Sequence, residues 1–445
     1  MNSIRSAHSS RSASSIRDGT DNQEPSEQPA SFGLRLEKAP FELEHLHDYQ
    51  PWGHHPIHLH DTLGEGDRYR VIHKLGNGGY ANVWLCRDMQ AATTGRYVAV
   101  KVLVADVPLD NCGELGSYEM LKDREGIESV KELICLLLDH FQVEGPNGTH
   151  ICLVYPLLGP EVSLGVLSTS QDPDRILRNI CHAVVRAVSF LHNHELCHGD
   201  LKPNNILHHV QNLDGLSEEK VIQILGEPVR NPVLKLDLLS HDEPSVPQYL
   251  VYPVKWEKVS TKYISPNPCL IDFGESFMES KPPKHLGTPG PYRAPELILE
   301  NSISRAVEDS SNHMTDDDEY LIAMVEALGI LPEPWWSSTW KDRKTFWKDD
   351  PDENGRAVSP RQSESIPVEH VRSNVHPAFA HIARSLREKL APGVWYIDAP
   401  RECIHREIPN QEADIFADLL GTLLKFSPQK RVSAASVLEH EWFAL

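Results

Sequence analysis

A glycine-rich stretch between two strand-like runs constrains the fold of this 445-residue chain more than any other feature. Residues 75–83 read Leu-Gly-Asn-Gly-Gly-Tyr-Ala-Asn-Val, and apolar residues alternate with polar ones on both sides. Glycine lets a backbone turn tightly and approach a phosphate closely. A dinucleotide-binding turn leads from a strand into a helix, whereas this stretch leads into another strand-like run. The pattern therefore favours a β-hairpin that lies over phosphates.

A lysine, Lys101, ends the next strand-like run at residues 98–101. A lysine at this place after a glycine-rich hairpin can pair with phosphate oxygens. Taken alone, the two features read equally well as a plain hairpin and a surface lysine. Their occurrence in this order favours a nucleotide site.

Three further motifs follow in order. Residues 197–207 read Cys-His-Gly-Asp-Leu-Lys-Pro-Asn-Asn-Ile-Leu, residues 270–274 read Leu-Ile-Asp-Phe-Gly, and residues 292–296 read Tyr-Arg-Ala-Pro-Glu. With these motifs the chain resembles the eukaryotic protein kinase family over roughly residues 69–443. The Asp-Leu-Lys-Pro segment is similar to the serine/threonine class. The resemblance implies transfer of the γ-phosphate of ATP, a reaction catalysed by positioning and charge neutralisation.

The resemblance also implies roles for single residues. Asp200 would accept the proton of the substrate hydroxyl, Lys202 would neutralise the γ-phosphate, and Lys101 would bind the α- and β-phosphates. Asn205 and Asp272 would hold Mg²⁺, because hard oxygen ligands suit that ion. Tyr155 would be the gatekeeper, and the backbone of Leu157 and Leu158 would supply the hinge hydrogen bonds. The implied nucleotide-binding residues are Leu75, Gly76, Asn77, Gly78, Gly79, Val83, Ala99, Lys101, Tyr155, Leu157, Leu158 and Leu207.

Lys101 needs a carboxylate partner on the following helix, and two residues qualify, Glu114 and Glu119. Five residues along a helix correspond to a rotation of about 140°, so the two side chains cannot share a face. Tyr118, four residues after Glu114, lies on the same helix face as Glu114, where its ring can make an apolar contact with Phe273. We therefore expect Glu114 to be the partner and to belong to the catalytic set.

Strand-like patterns come first along the chain and helical patterns follow, which predicts an α+β fold with two lobes. The resemblance gives a small β-rich N-lobe at residues 69–158 and a larger helical C-lobe at residues 159–443. An insert at residues 210–267 of the C-lobe is expected to pack on the surface rather than to serve regulation or docking.

Residues 1–40, rich in Ser, Arg, Gln and Pro, are predicted to be disordered. Helices are predicted at residues 114–121, 175–192, 217–225, 320–328, 376–390 and 413–424.

Within the kinase family the chain resembles the SR-protein kinases of the CMGC group, especially those of fungi. The resemblance is carried by residues 49–59, 144–154, 272–277, 315–320 and 331–336. It implies Arg/Ser-rich, splicing-factor-like protein substrates, a role in mRNA processing, a monomer, and a location in cytoplasm and nucleus. The net charge of −21 suits an arginine-rich partner and argues against binding nucleic acid directly. No apolar run approaches the roughly 18 residues of a membrane span, so no membrane partner is expected.

Two departures from the family pattern matter. Gly199 replaces the arginine that normally grips a phosphorylated activation loop, so the loop between Asp272 and Glu296 is expected to order without phosphorylation. The apolar αF helix expected after Glu296 is missing, since no Asp-x-Trp segment lies between Leu299 and Asp316. Each large side-chain burial lost with that helix would cost about 2 to 5 kcal/mol. The alternatives are therefore a nucleotide-binding pseudokinase that acts as a scaffold, or an aberrant splice product.

Overall fold

The computed structural model describes residues 34–39, 42–91, 95–105, 107–109, 112–163, 172–235, 244–300, 316–360, 381–398 and 402–445. Its strands are β1 (Leu34–Leu36), β2 (Thr62–Leu63), β3 (Tyr69–Asn77), β4 (Ala81–Asp88), β5 (Arg96–Leu103), β6 (Asp139–Gly145), β7 (Gly148–Pro156), β8 (Leu158–Glu161), β9 (Leu196–Cys197), β10 (Ile206–Val210), β11 (Arg230–Lys235), β12 (Tyr249–Val251), β13 (Ile264–Leu270), β14 (Phe277–Met278), β15 (Val394–Asp398) and β16 (Glu402–Arg406). Its helices are α1 (Gly113–Leu121), α2 (Pro173–Asn193), α3 (Glu218–Leu225), α4 (Pro295–Leu299), α5 (Asp316–Leu328), α6 (Arg343–Phe346), α7 (Leu386–Leu390), α8 (Asn410–Leu423) and α9 (Ala434–Val437). In this described part of the chain, no helix has the length and apolar character needed to cross a membrane.

The N-lobe is an antiparallel sheet of six strands in the order β2-β3-β4-β5-β7-β6. Side chains alternate between the two faces of a strand. On β5, Val98, Val100 and Val102 accordingly enter one apolar core, while Ala99 and Lys101 lie on the opposite face. The predicted α+β architecture is confirmed, and the alternation directs Lys101 away from the core toward the other lobe.

The C-lobe is organised around α2, whose first turn is capped by Asp172 through the backbone N–H of Arg175. Ala187, Phe190 and Leu191 of this helix pack in one cluster with residues that flank the β10–β13 pair. That pair carries Asn205 just before its first strand and Asp272 just after its second. Packing of α2 therefore fixes the two segments that hold the predicted metal ligands.

The insert packs against the N-lobe sheet. Val221 and Leu225, four residues apart on α3, bury their side chains against Ile72, Leu85 and Tyr97 of that sheet. The apolar stripe of α3, which begins after the cap made by the Ser217 side chain, makes this contact. The helix predicted at residues 217–225 is confirmed.

The tail predicted to be disordered at residues 1–40 contains a strand. Residues 1–33 lie outside the described ranges, but β1 pairs antiparallel with β11 of the insert. Leu34 is buried with Leu250 of β12, and the Asn231 side chain bonds both the N–H and the C=O of Lys38. The boundary at residue 40 is therefore wrong, because a partner strand supplied by the distant insert is invisible in local composition.

The helix predicted at residues 376–390 is confirmed only in its last part. Residues 376–380 are not among those described, residues 381–385 are not helical, and residues 386–390 form α7. Ser385 caps this helix in a reciprocal box with Glu388, which starts the helix there. The chain beyond α7 is also less helical than predicted, since β15 and β16 pair as a hairpin.

The expected absence of the αF helix concerns a segment whose residues 301–315 lie outside the described ranges. The described residues on either side form an apolar cluster. Ile298 and Leu299 of α4 pack with Leu321, Ile322 and Val325 of α5 and with a group of tryptophans from the following segment, Trp335, Trp336, Trp340 and Trp347.

Buried histidines make the stability of the fold depend on pH. Burial lowers the pKa values of His54, His73 and His150, and it lowers the pKa of His55 to about 4. These groups are neutral in the folded chain but bind protons in the unfolded chain below about pH 6.5. Stability is therefore full above pH 6.5 and falls as the pH drops toward 4. Between pH 7.5 and pH 5 the free energy of unfolding should fall by about 1 to 2 kcal/mol less in His55→Gln than in the wild type, as measured by urea unfolding. An equal loss in both proteins would contradict this account.

Candidate active site

Lys101 lies at the centre of an ionic network that joins both lobes. Its ammonium lies 2.6 Å from Glu114 Oε1 and 2.9 Å from Asp272 Oδ1. Glu119 lies on the surface and pairs with Lys122, so the structure brings Glu114, and not Glu119, to Lys101. Burial opposes the charge on Lys101, but the two carboxylates outweigh it and raise the pKa of Lys101. The lysine is therefore cationic at any working pH and suited to phosphate oxygens.

The loop after β9 brings three predicted residues together around one carboxylate. Lys202 Nζ lies 2.5 Å from Asp200 Oδ2, and the Asn205 side chain donates to Asp200 Oδ2 at 3.0 Å and to its backbone oxygen at 2.8 Å. Asp200 is 6% exposed, and its Oδ1 has no hydrogen-bond partner within the described residues. Buried acceptors are rarely left unpaired unless a ligand or water uses them. Asp200 Oδ1 is thus available to a hydroxyl group.

Asp272 stands beside this loop in a strained backbone conformation. Its φ is +65°, a left-handed value that non-glycine residues adopt mainly where function requires it. The N–H of Ile271 donates to the Asn205 backbone oxygen at 2.9 Å, which holds the two predicted metal ligands on adjacent segments. Burial favours the neutral form of Asp272, but Lys101 prevails and lowers the pKa of that carboxyl. Asp272 is therefore an anion, as a metal ligand must be.

The predicted nucleotide-binding residues line the space between the lobes. The β3–β4 hairpin carries Leu75, Gly76 and Asn77 on its first strand, Gly78 and Gly79 in its turn, and Val83 on its second strand. A Cβ added at Gly76 or Gly79 would meet no atom within 4 Å, so open space adjoins this loop. Opposite the hairpin, Tyr155, Leu158 and Leu207 belong to a single cluster. Leu157 faces elsewhere and packs with the cluster that the insert forms.

The segment from Asp272 to Glu296 is held by direct contacts. The N–H of Gly287 donates to Glu275 Oε2 at 2.9 Å, and the Thr288 hydroxyl donates to the Gly199 oxygen at 2.7 Å. Glu296 ends the segment in a bidentate pair with Arg431, at 2.7 and 2.6 Å. Sequence reasoning missed Glu275 and Thr288. Nothing in the sequence pattern marks those two contacts.

Gly199 has a structural reason to replace arginine. Its φ is +81°, and a Cβ there would lie 2.1 Å from the backbone oxygen of Glu275. Any larger residue would collide with the segment that Glu275 belongs to. Glycine at this position therefore lets the segment after Asp272 pack directly against the loop that carries Asp200.

Comparison with known proteins agrees with this geometry. The model of the protein kinase domain family matches residues 69–221. The chain is similar to human SRSF protein kinase 3, at 31% identity over 174 residues, covering 37% of this chain and 29% of the relative. It is also similar to the serine/threonine-protein kinase SRPK of Physarum polycephalum, at 24% identity over 436 residues, covering 91% and 92% of the two chains. Residues 69–221 thus match a protein kinase domain, and the chain is similar to SR-protein kinases.

A third relative shows how far the similarity extends. Protein kinase dsk1 of Schizosaccharomyces pombe is 34% identical over 180 residues, covering 39% of this chain and 32% of the relative. The chain thus matches less than a third of the length of SRSF protein kinase 3 and of dsk1, whereas the Physarum relative matches along almost its whole length.

A protein kinase domain implies ATP and a divalent metal cation. The residues present fit such a cation. Asp272 and Asn205 offer carboxylate and amide oxygens, the hard donors that divalent cations of this kind prefer, and Asp272 is charged because of Lys101. The unpaired, buried oxygen of Asp200 lies in the same loop as Asn205.

Proposed function

We propose that this chain is a serine/threonine kinase that transfers the γ-phosphate of Mg²⁺-bound ATP to serines in Arg/Ser-rich proteins. One observation carries the proposal. Lys101, Glu114 and Asp272 form a continuous ion-pair network across the lobes, beside an Asp200 whose second oxygen is free for a hydroxyl. Such an arrangement provides the positioning and charge neutralisation that phosphoryl transfer needs.

In this mechanism the chain positions two substrates. The ammonium of Lys101, held by Glu114, orients the α- and β-phosphates. Asp272 and Asn205 would hold Mg²⁺, which would supply further charge neutralisation. Asp200 Oδ1 receives the seryl hydroxyl, aligns its oxygen with the γ-phosphorus and takes its proton. Lys202, already 2.5 Å from Asp200, lies where it can neutralise the γ-phosphate. The glycine-rich hairpin closes over the phosphates.

Charge and relatives support the substrate class. The chain carries 64 acidic against 43 basic side chains, which attracts an arginine-rich segment over long range. The name of one relative, SRSF protein kinase 3, points to splicing factors of the SR class. We further propose that the protein acts as a monomer in cytoplasm and nucleus, in mRNA processing, without binding nucleic acid or membranes itself.

The alternative of a nucleotide-binding scaffold is not favoured. A scaffold has no need of Lys202 beside the buried carboxylate of Asp200, since these two groups serve the transfer step rather than nucleotide binding. The splice-product alternative concerns residues 301–315, which lie outside those described.

The substrate class is tested with two matched peptides, one of repeated Arg-Ser pairs and one with every arginine replaced by alanine. We expect kcat/KM for the Arg-Ser peptide to be at least tenfold higher, about 1.4 kcal/mol in transition-state binding, and phosphoserine to be the product. A kinase that uses both peptides equally would contradict the proposed substrate class while leaving the proposed kinase activity intact.

A further inference from the structure

The Glu114 carboxylate is held from two sides by the N-lobe sheet. Lys101 Nζ, on β5, donates to Glu114 Oε1 at 2.6 Å. The hydroxyl of Tyr155, near the end of β7, donates to Glu114 Oε2. Ala99 of β5 and Tyr155 are direct partners in the sheet, so both donors come from adjacent strands. The gatekeeper residue thus contributes a polar contact as well as its ring.

Apolar packing and polar contacts together hold α1 in place. Leu115 and Tyr118 pack in a cluster that includes residues of the N-lobe sheet. The Ser117 hydroxyl contacts that of Ser276, in the segment after Asp272. Apolar packing does not fix the rotation of a carboxylate, so the orientation of the Glu114 carboxylate depends on its two polar contacts with the sheet.

Lys101 is shared between two carboxylates, so the orientation of Glu114 determines where the lysine ammonium lies. Asp272 Oδ1 lies 2.9 Å from the lysine, only slightly farther than Glu114 Oε1 at 2.6 Å. Without a donor on Oε2, the Glu114 carboxylate is free to rotate, and Lys101 can move toward Asp272. The lysine would then be displaced from the phosphates, and Asp272 would be partly neutralised. Burial and the nearby Glu114 raise the pKa of Tyr155 well above its usual value, so its hydroxyl stays a donor.

We propose that Tyr155 is a positioning residue whose hydroxyl fixes Glu114, and through it Lys101, in the arrangement that receives the phosphates of ATP. This inference rests on the proposed function, since it assigns Tyr155 a part in nucleotide binding at the same site. It makes the gatekeeper hydroxyl a determinant of ATP affinity.

The test measures equilibrium binding of ATP with Mg²⁺ by calorimetry, and peptide phosphorylation, in the full chain. Tyr155→Phe removes only the hydroxyl and should raise the Kd for ATP about tenfold, about 1.4 kcal/mol. In a Glu114→Ala background the same substitution should change the Kd less than about twofold, because its partner is gone. Tyr263→Phe, in the insert, is the matched control. Its hydroxyl has no hydrogen bond within the described residues, and the Kd should stay the same.

The outcomes are distinct. An unchanged Kd in Tyr155→Phe would overturn the inference. An equal rise in Kd in the wild-type and Glu114→Ala backgrounds would also overturn it, because the effect of the hydroxyl would then be independent of Glu114. Urea unfolding of each variant shows whether a rise in Kd comes from loss of the fold. A wild-type chain that binds ATP but transfers no phosphate would overturn the proposed function alone, while the binding comparison would still decide the role of Tyr155.

Discussion

Asp200→Asn should lower kcat for peptide phosphorylation by about 10²- to 10⁴-fold, the range for loss of a general base. Asparagine keeps the shape of the side chain and a hydrogen bond to the hydroxyl but cannot take its proton. ATP should still bind, because the Lys101–Glu114–Asp272 network is intact in this variant. Steady-state kinetics with Arg-Ser peptide and calorimetry with ATP check the two halves of the prediction.

Asp214→Asn provides the control for that experiment. It makes the same chemical change at an exposed carboxylate in the insert, and kcat should be unaltered. If Asp200→Asn kept more than a tenth of the wild-type kcat, Asp200 could not be the base, and the free oxygen in the catalytic loop would need another explanation.

Gly199→Ala should be far more damaging than its single methyl group suggests. The added Cβ would lie 2.1 Å from the Glu275 backbone oxygen, at a φ of +81°. To relieve this contact the loop must shift, and a displacement of Asp200 by about 1 Å can lower kcat about 10²-fold. We expect a loss of that size in kcat, together with lower resistance to urea.

Gly215→Ala separates the collision from backbone strain. Gly215 has a similar φ of +84°, but a Cβ there would meet no atom within 4 Å. This variant should lose only about 1 kcal/mol of stability and no activity. Equal effects of the two substitutions would mean that the contact with Glu275 plays no part in ordering the segment.

Local sequence is enough to place the candidate catalytic residues, because each motif depends on its own neighbours. The glycine-rich hairpin, Lys101 near the end of its strand, and the loop from Asp200 to Asn205 are set by local turn and strand chemistry. Helix geometry separates Glu114 from Glu119, and the expected contact of Tyr118 with Phe273 favours Glu114. In each case the chain within a few residues decides where the side chain points.

Long-range pairing is what the sequence does not reveal. The strand Leu34–Leu36 forms because β11, almost 200 residues later, provides its partner. The insert covers the N-lobe sheet through the apolar stripe of α3, and the sequence does not show which surface that stripe packs against. The contacts of Tyr155 with Glu114 and of Ser117 with Ser276 join residues 41 and 159 positions apart. No local signal encodes such contacts. At residues 381–385 the sequence pattern predicts a helix that is not formed, because the Ser385 cap starts the helix at Leu386.

The most direct test of the central claim is phosphoryl transfer by the purified full chain, compared with Asp272→Ala. With ATP, Mg²⁺ and an Arg-Ser peptide, we expect the wild type to form phosphoserine at a rate at least about 10²-fold above the variant, and to stop when Mg²⁺ is chelated. Transfer no faster than in Asp272→Ala would contradict the account: the Lys101, Glu114 and Asp272 network would then bind nucleotide without serving catalysis.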